Sequence, residues 1–171
     1  MKIKKASLKD VLGFFIVSIV GSICHFVYEL SGKNIIAACF TPINESTWEH
    51  LKLLFFPFII FVLIEFFIYG KNISGFLFSN VVGVLCGIIF IPCAFYLINA
   101  VFGKSSLVVD ILLFLIAVWL SFRIRDYRIE KGFDNNKKRT IPAIILITGL
   151  TVLFIGFTFF PPSSPLFISP V

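Results

Sequence analysis

Charge is scarce in this sequence. Charged residues make up 14% of 171 positions, against roughly 25% in a soluble domain. Hydrophobic residues reach 58% and mean hydropathy is +1.02. A chain of this size cannot hide so much apolar surface in a water-soluble core, so the bilayer must be its solvent. The length leaves room for a single integral membrane domain over residues 1–171 and for no separate soluble one. Cysteine is sparse as well. Cys24, Cys39, Cys86 and Cys93 form no CxxC pair, which argues against a zinc ribbon or a thioredoxin-type site. Three of them, Cys24, Cys39 and Cys93, are expected in the outer half of the bundle, where a disulfide is chemically allowed, but no spacing specifies one. No internal repeat is evident. No A-x-A pattern follows the first apolar run, and "GSI" before Cys24 does not fit a lipoprotein signal. The first segment is therefore expected to be a retained helix.

Long apolar runs are what the sequence has in abundance. A spanning helix needs about 20 mostly apolar residues, and five segments qualify: about 7–31, 46–69, 73–102, 105–123 and 141–160. Without water, each segment must satisfy its own backbone, which leaves the helix as the natural choice. The expected fold is all-α, a bundle of five transmembrane helices with antiparallel sequential neighbours. Local signals agree with these limits. "SLKD" at 7–10 and "STWE" at 46–49 have the form of N-terminal caps, Ser31-Gly32 reads as a helix stop, and Pro142 sits in a first turn.

The basic residues set the expected orientation. Lys2, Lys4, Lys5 and Lys9 precede the first span, Lys71 follows the second, and Arg123 to Arg139 holds seven Lys or Arg. The other connections carry only Lys33, Lys52 and Lys104, and no formal side-chain charge follows Arg139. Lysine and arginine mark cytoplasmic loops, so the N-terminus is expected inside and the C-terminus outside, in a multi-pass protein of the cell membrane. The same reading assigns the net charge of +6 to topology and to anionic lipid headgroups, and no nucleic-acid partner is expected. The segment 123–139 is expected to be a cytoplasmic loop.

This orientation collects the ionisable residues at one depth. His25 and Glu29 fall near the outer end of helix one, Glu45, Glu49, His50 and Lys52 at that of helix two, Asn99 at that of helix three and Asp110 at that of helix four. Ser18, Ser22, His25 and Glu29 are spaced to share one helical face, and Glu45, Trp48, Glu49 and Lys52 form a second such set. His50 points about 100° away from Glu49. Ionisable residues within spans mark ion sites, proton relays or substrate paths. Two histidines with carboxylates suit a divalent metal ion, so His25, His50 and Glu49 are the candidate ligands. Glu45 and Glu49 are the candidate catalytic carboxylates. Glu29, Asn44, Trp48, Lys52 and Asp110 are the candidate ligand-binding residues. A plainer reading stands beside this one. Ser46 and Glu49 match a capping box in which each side chain bonds the other's backbone N–H, Lys52 can pair with Glu45 or Glu49, and Trp48 suits a membrane interface. That reading accounts for helix two and leaves His25 unexplained. Glu65, at the opposite end, is expected to reach the cytoplasm or to pair with a basic loop residue.

The run "FTPINESTWEHLKLLFFP" at 40–57 resembles the hallmark N-E-S-x-W-E-H-x-K of a family of small bacterial integral membrane proteins of unknown function. The matching positions are Asn44, Glu45, Ser46, Trp48, Glu49, His50 and Lys52. The tail "FPPSSPLFISP" is similar to that family's, with Ser169 where an acidic residue often precedes the last proline. The resemblance spans the chain and implies that the motif is a family feature, with no activity attached. The chain lacks the tryptophan-rich core of the five-helix tryptophan-rich sensory proteins. It also lacks the three histidines of the ceramidase-like hydrolases.

Three functions stay open from the sequence: an outer pocket that binds an ion or small polar ligand, a metal-dependent membrane hydrolase, and a non-enzymatic interaction subunit. Five helices are few for an alternating-access transporter, which relies on paired repeats, so transport would need a homo-oligomer or a membrane partner.

Overall fold

The computed structural model describes residues 8–103, 106–134 and 136–169. Lys2, Lys4, Lys5, the Ser7 cap, Lys104 and the expected helix start at Ser105 lie outside the described residues. The order is α1 (Leu8–Leu30), α2 (Ile35–Phe40), α3 (Thr47–Ile68), α4 (Phe76–Phe102), α5 (Leu107–Lys131) and α6 (Thr140–Phe159). Short 3-10 turns occupy Gly70–Asn72, Lys137–Arg139 and Pro165–Phe167. Among the described residues there is no strand. All but α2 are long and apolar enough to cross a membrane, giving five candidate spans.

The helix α3 lies at the centre. Leu51, Leu54, Phe55, Phe58 and Val62 are buried along it, with α1, α4 and α6 around it. Aromatic contacts tie it outward: Phe55 to Phe154 of α6 and Phe58 to Phe122 of α5, each with ring centroids 5.0 Å apart. The pairing of α4 with α5 is the most extensive in the bundle, and Gly83 and Gly87 of α4 meet Ala117 and Ser121 of α5 there. Small residues at a helix seam let backbones approach closely where lipid supplies no hydrophobic drive. Gly21 does the same for α1. A Cβ at that position would lie 2.5 Å from the Leu53 carbonyl oxygen of α3, an oxygen left without its usual helical donor because residue 57 is proline. The outward faces are oily: Phe15, Ile19, Ile23 and Phe26 on α1, and Ile144, Ile145 and Val152 on α6, are exposed. Water would penalise such faces and acyl chains would not.

Three elements differ from the sequence expectation. The fourth span does not stop at Arg123 but continues to Lys131, so half of the expected loop is helix. Its buried face stays occupied beyond the apolar run: Arg125 is 2% exposed and is held by Glu65 and Asp10. The stop comes at Gly132, whose φ of 65° is left-handed. Its N–H bonds the Ile129 carbonyl at 3.1 Å and the Phe133 N–H bonds the Arg128 carbonyl at 3.2 Å, the two bonds of a Schellman motif. Second, α2 lies in the connection before α3, capped by Asn34 Oδ1, which accepts from the Ile36 N–H at 2.8 Å. Third, the helix expected over 73–102 begins at Phe76, after the turn at Gly70–Asn72.

The end of the bundle away from Ser46 is pinned by ion pairs. Arg125 lies 2.6 Å from Glu65, 2.9 Å from Asp10 and 3.1 Å from Asp126. Tyr69 donates to Glu65, and burial together with that carboxylate pushes its phenol well above the ordinary value. Glu65 therefore pairs with a basic residue, as one of the two expectations had it, though the partner sits on a helix. Nearby, Asp134 closes the α5–α6 connection by accepting from Arg128, Arg139 and Ser79.

Candidate metal centre

The site grows from the chain's turn into α3. Asn44 Oδ1 accepts from the Ser46 N–H at 2.9 Å, which folds the residues before the helix into a tight bend. Ser46 is the N-cap, and its Oγ accepts from the Glu49 N–H at 3.4 Å. One turn on, His50 Nδ1 lies 2.9 Å from the Ser46 carbonyl oxygen. A carbonyl only accepts, so Nδ1 carries the hydrogen, and neutral His50 presents the lone pair of Nε2 outward. Metal-ligating histidines are oriented in this way, through a backbone carbonyl on the second nitrogen.

Two groups meet at that lone pair. His25 Nε2, from α1, is 3.1 Å from His50 Nε2. Glu45 Oε2, from the bend, is 3.3 Å from His50 Nε2 and 3.7 Å from His25 Nε2. Ligand atoms held about 2.0–2.1 Å from a tetrahedral ion sit about 3.3 Å from one another, so the spacing matches one shared ion. Among the described residues, His25, Glu45 and His50 are the group able to hold a metal in this way. The two rings are half-buried and the Glu45 side chain is 67% exposed, so one side of the cluster stays open.

The cluster borders a cavity of about 310 Å³ that Asp110 also lines, with Leu53 of α3, Phe95 of α4 and Phe114 of α5 among its walls. Asp110 is in the first turn of α5, capped by Ser106 Oγ. Its Oδ1 is buried with no hydrogen-bond partner among the described residues.

Glu49 and Lys52 are placed elsewhere. Glu49 is 2% exposed. It accepts from Thr158 of α6 at 2.9 Å, from the Ile43 N–H at 3.1 Å and from Lys52 at 2.8 Å, which leaves it no face toward the histidines. Lys52 is fully buried and also donates to the carbonyls of Ala38 at 2.9 Å and Thr41 at 3.3 Å. The pair is a strap joining the α2 region, α3 and α6. The capping box is thus only half formed. Glu49 bonds the Ile43 N–H in place of the Ser46 N–H, which Asn44 takes. The expected shared face of Glu45 with Glu49 also fails, because Glu45 precedes the helix and helical spacing does not govern it. Trp48 packs among Phe154, Phe157 and Phe167, with centroids 4.8, 5.4 and 5.0 Å away, and so anchors the Pro-rich tail. Glu29 is exposed and pairs with Lys33 at 3.7 Å. All four cysteines are free thiols.

Among the described residues, six helices, five of them long and apolar enough to cross a membrane, with a histidine–carboxylate cluster at one end, make an all-helical fold compatible with a multi-pass membrane protein. Over residues 1–171 the chain matches a family of unknown function (DUF6512), and it belongs to that family. Among curated proteins and among solved structures, nothing matches it.

Proposed function

We propose that this protein resides in the cell membrane and holds a divalent metal ion, zinc by the chemistry of its donors, at the outer ends of α1 and α3. His25 Nε2, His50 Nε2 and the Glu45 carboxylate are its ligands. Two imidazoles and one carboxylate suit zinc. The observation that carries the reading is the convergence of three donor atoms, from α1, the bend and α3, all within 4.8 Å of one another. The orientation rests on Lys and Arg: Arg123, Arg125, Arg128, Lys131, Lys138 and Arg139 all lie at the end opposite the pocket. Several of them are neutralised by Glu65, Asp10, Asp126 and Asp134, but the bias counts Lys and Arg and is not a net-charge rule.

Cobalt substitution tests the site. Cobalt(II) added to the detergent-solubilised protein is expected to show the strong visible absorption of a tetrahedral centre. His50→Ala and Glu45→Gln should weaken binding by at least about tenfold, since even outer-shell changes cost 10–100-fold. A spectrum that stays that of the hydrated ion in the wild-type protein overturns the proposal.

A further inference from the structure

The cavity beside the histidines has a polar rim and an apolar floor. His50 is followed by Leu53 on α3, and Asp110 by Leu113 and Phe114 on α5, all lining the same cavity. Three residues along a helix is about 4.5 Å of travel toward the bundle's middle. Ile91 and Phe95 of α4 complete the apolar part, and Leu53, Ile91 and Leu113 there are buried. A ligand that fits such a space has a polar head at the depth of the histidines and a hydrocarbon tail below it. The volume of about 310 Å³ lies at the small end of the range for ligand sites, enough for one chain.

The donor set leaves room for chemistry. Three protein ligands with an open fourth position characterise catalytic zinc sites, whereas structural ones are closed by four. Glu45 keeps the cluster open to the outside. Asp110 contributes a buried carboxylate oxygen that no described residue satisfies, and a buried acceptor without a donor is costly unless something bound there supplies one.

Building on the metal-site reading above, we infer that the cavity takes the acyl chain of a carboxylic ester and that the site hydrolyses that ester. An ion held there would polarise the ester carbonyl or a water beside it. Water gives one proton to the Asp110 carboxylate and adds through its oxygen to the carbonyl carbon. The bond from that carbon to the alcohol oxygen then breaks, and Asp110 returns the proton to the departing oxygen. Ester and water become carboxylic acid and alcohol, with no change of oxidation state. The bundle's outer end is where acyl-ester groups of a bilayer lie, between hydrocarbon and headgroup.

The test uses the full chain in detergent, loaded with zinc, and two probes: the 4-methylumbelliferyl esters of acetic and octanoic acid. Zinc content and thermal unfolding are read on the same samples. The expected result is hydrolysis above a zinc-and-detergent blank, with a lower KM for the octanoyl ester. In Asp110→Asn the rate should fall by about 10²-fold or more, with zinc content and unfolding temperature kept. Bound zinc with neither ester cleaved overturns this inference and leaves the metal site standing. Absence of zinc overturns both. Loss of zinc in Asp110→Asn makes Asp110 a fourth ligand, closes the site and overturns the inference, as does an undiminished rate in that variant.

Discussion

Replacing Lys52 with methionine removes a charge and leaves most of the side chain's volume. The lysine is fully buried, and its ammonium makes three bonds, at 2.8 Å to Glu49, 2.9 Å to Ala38 and 3.3 Å to Thr41. Removing one member of a buried ion pair costs about 3–5 kcal/mol, because the other charge remains without compensation. Glu49 would keep its bonds from Thr158 and the Ile43 N–H, which pulls the loss toward the lower end. The two bared carbonyls add about 1 kcal/mol each, the low end for a buried acceptor left without a donor. A loss of about 5 kcal/mol is expected, read by denaturant unfolding of the detergent-solubilised protein with far-UV circular dichroism. The double variant Lys52→Met with Glu49→Gln strands no charge and should recover more than half of that loss. A single variant that costs under about 1 kcal/mol, or a double variant no more stable than the single, would refute the strap as a strongly coupled buried pair.

Ser46→Ala should cost about 0.5–1 kcal/mol, since its capping bond to the Glu49 N–H is long at 3.4 Å. Metal affinity should persist, because His50 is oriented by the Ser46 backbone carbonyl and not by the hydroxyl; unfolding and cobalt titration of one sample check both halves. Asp134→Asn tests pH dependence. Burial alone would raise the Asp134 carboxyl, but hydrogen bonds from Arg128 and Ser79 and the charges of Arg128 and Arg139 outweigh it and hold the pKa below the ordinary value. A carboxyl depressed by folding stabilises the fold above its unfolded pKa and loses that contribution as pH falls through the lower folded value. The stability gap between the wild type and Asp134→Asn should therefore be full at neutral pH and close only in acid, below the usual carboxylate range.

The spans were legible because run length and apolarity suffice to define them: α1, α3 and α6 end within about two residues of where hydropathy stops or glycine and proline intervene. The extension of α5 was not, since hydropathy reads Arg125 as loop while the fold buries it against Glu65 and Asp10. Only the glycine at 132 carried the signal for the true end. Short α2 gave no length to detect. In the site, the roughly 100° between neighbouring helical residues already separates His50 from Glu49, and the structure sends one to the cavity and the other to α6. Which carboxylate would join the histidines could not be read from spacing, because Glu45 lies before the helix. Glu29 shares a face with His25 but sits a turn further out, past the start of α3, where it meets Lys33. Asp110 was legible at the right depth from its place in the fourth span, but that it lines one cavity with His25, Glu45 and His50 required the packing of α5 on its neighbours.

The metal centre is best tested by the zinc content of the full chain, purified in detergent without chelators and then given zinc, beside His25→Ala, Glu45→Gln and Glu49→Gln. Close to one zinc per chain is expected in the wild type and in Glu49→Gln, with loss of zinc in His25→Ala and Glu45→Gln. A wild-type protein that retains no zinc, or a Glu49→Gln protein that folds and loses it while Glu45→Gln keeps it, would rule out a centre built from His25, Glu45 and His50.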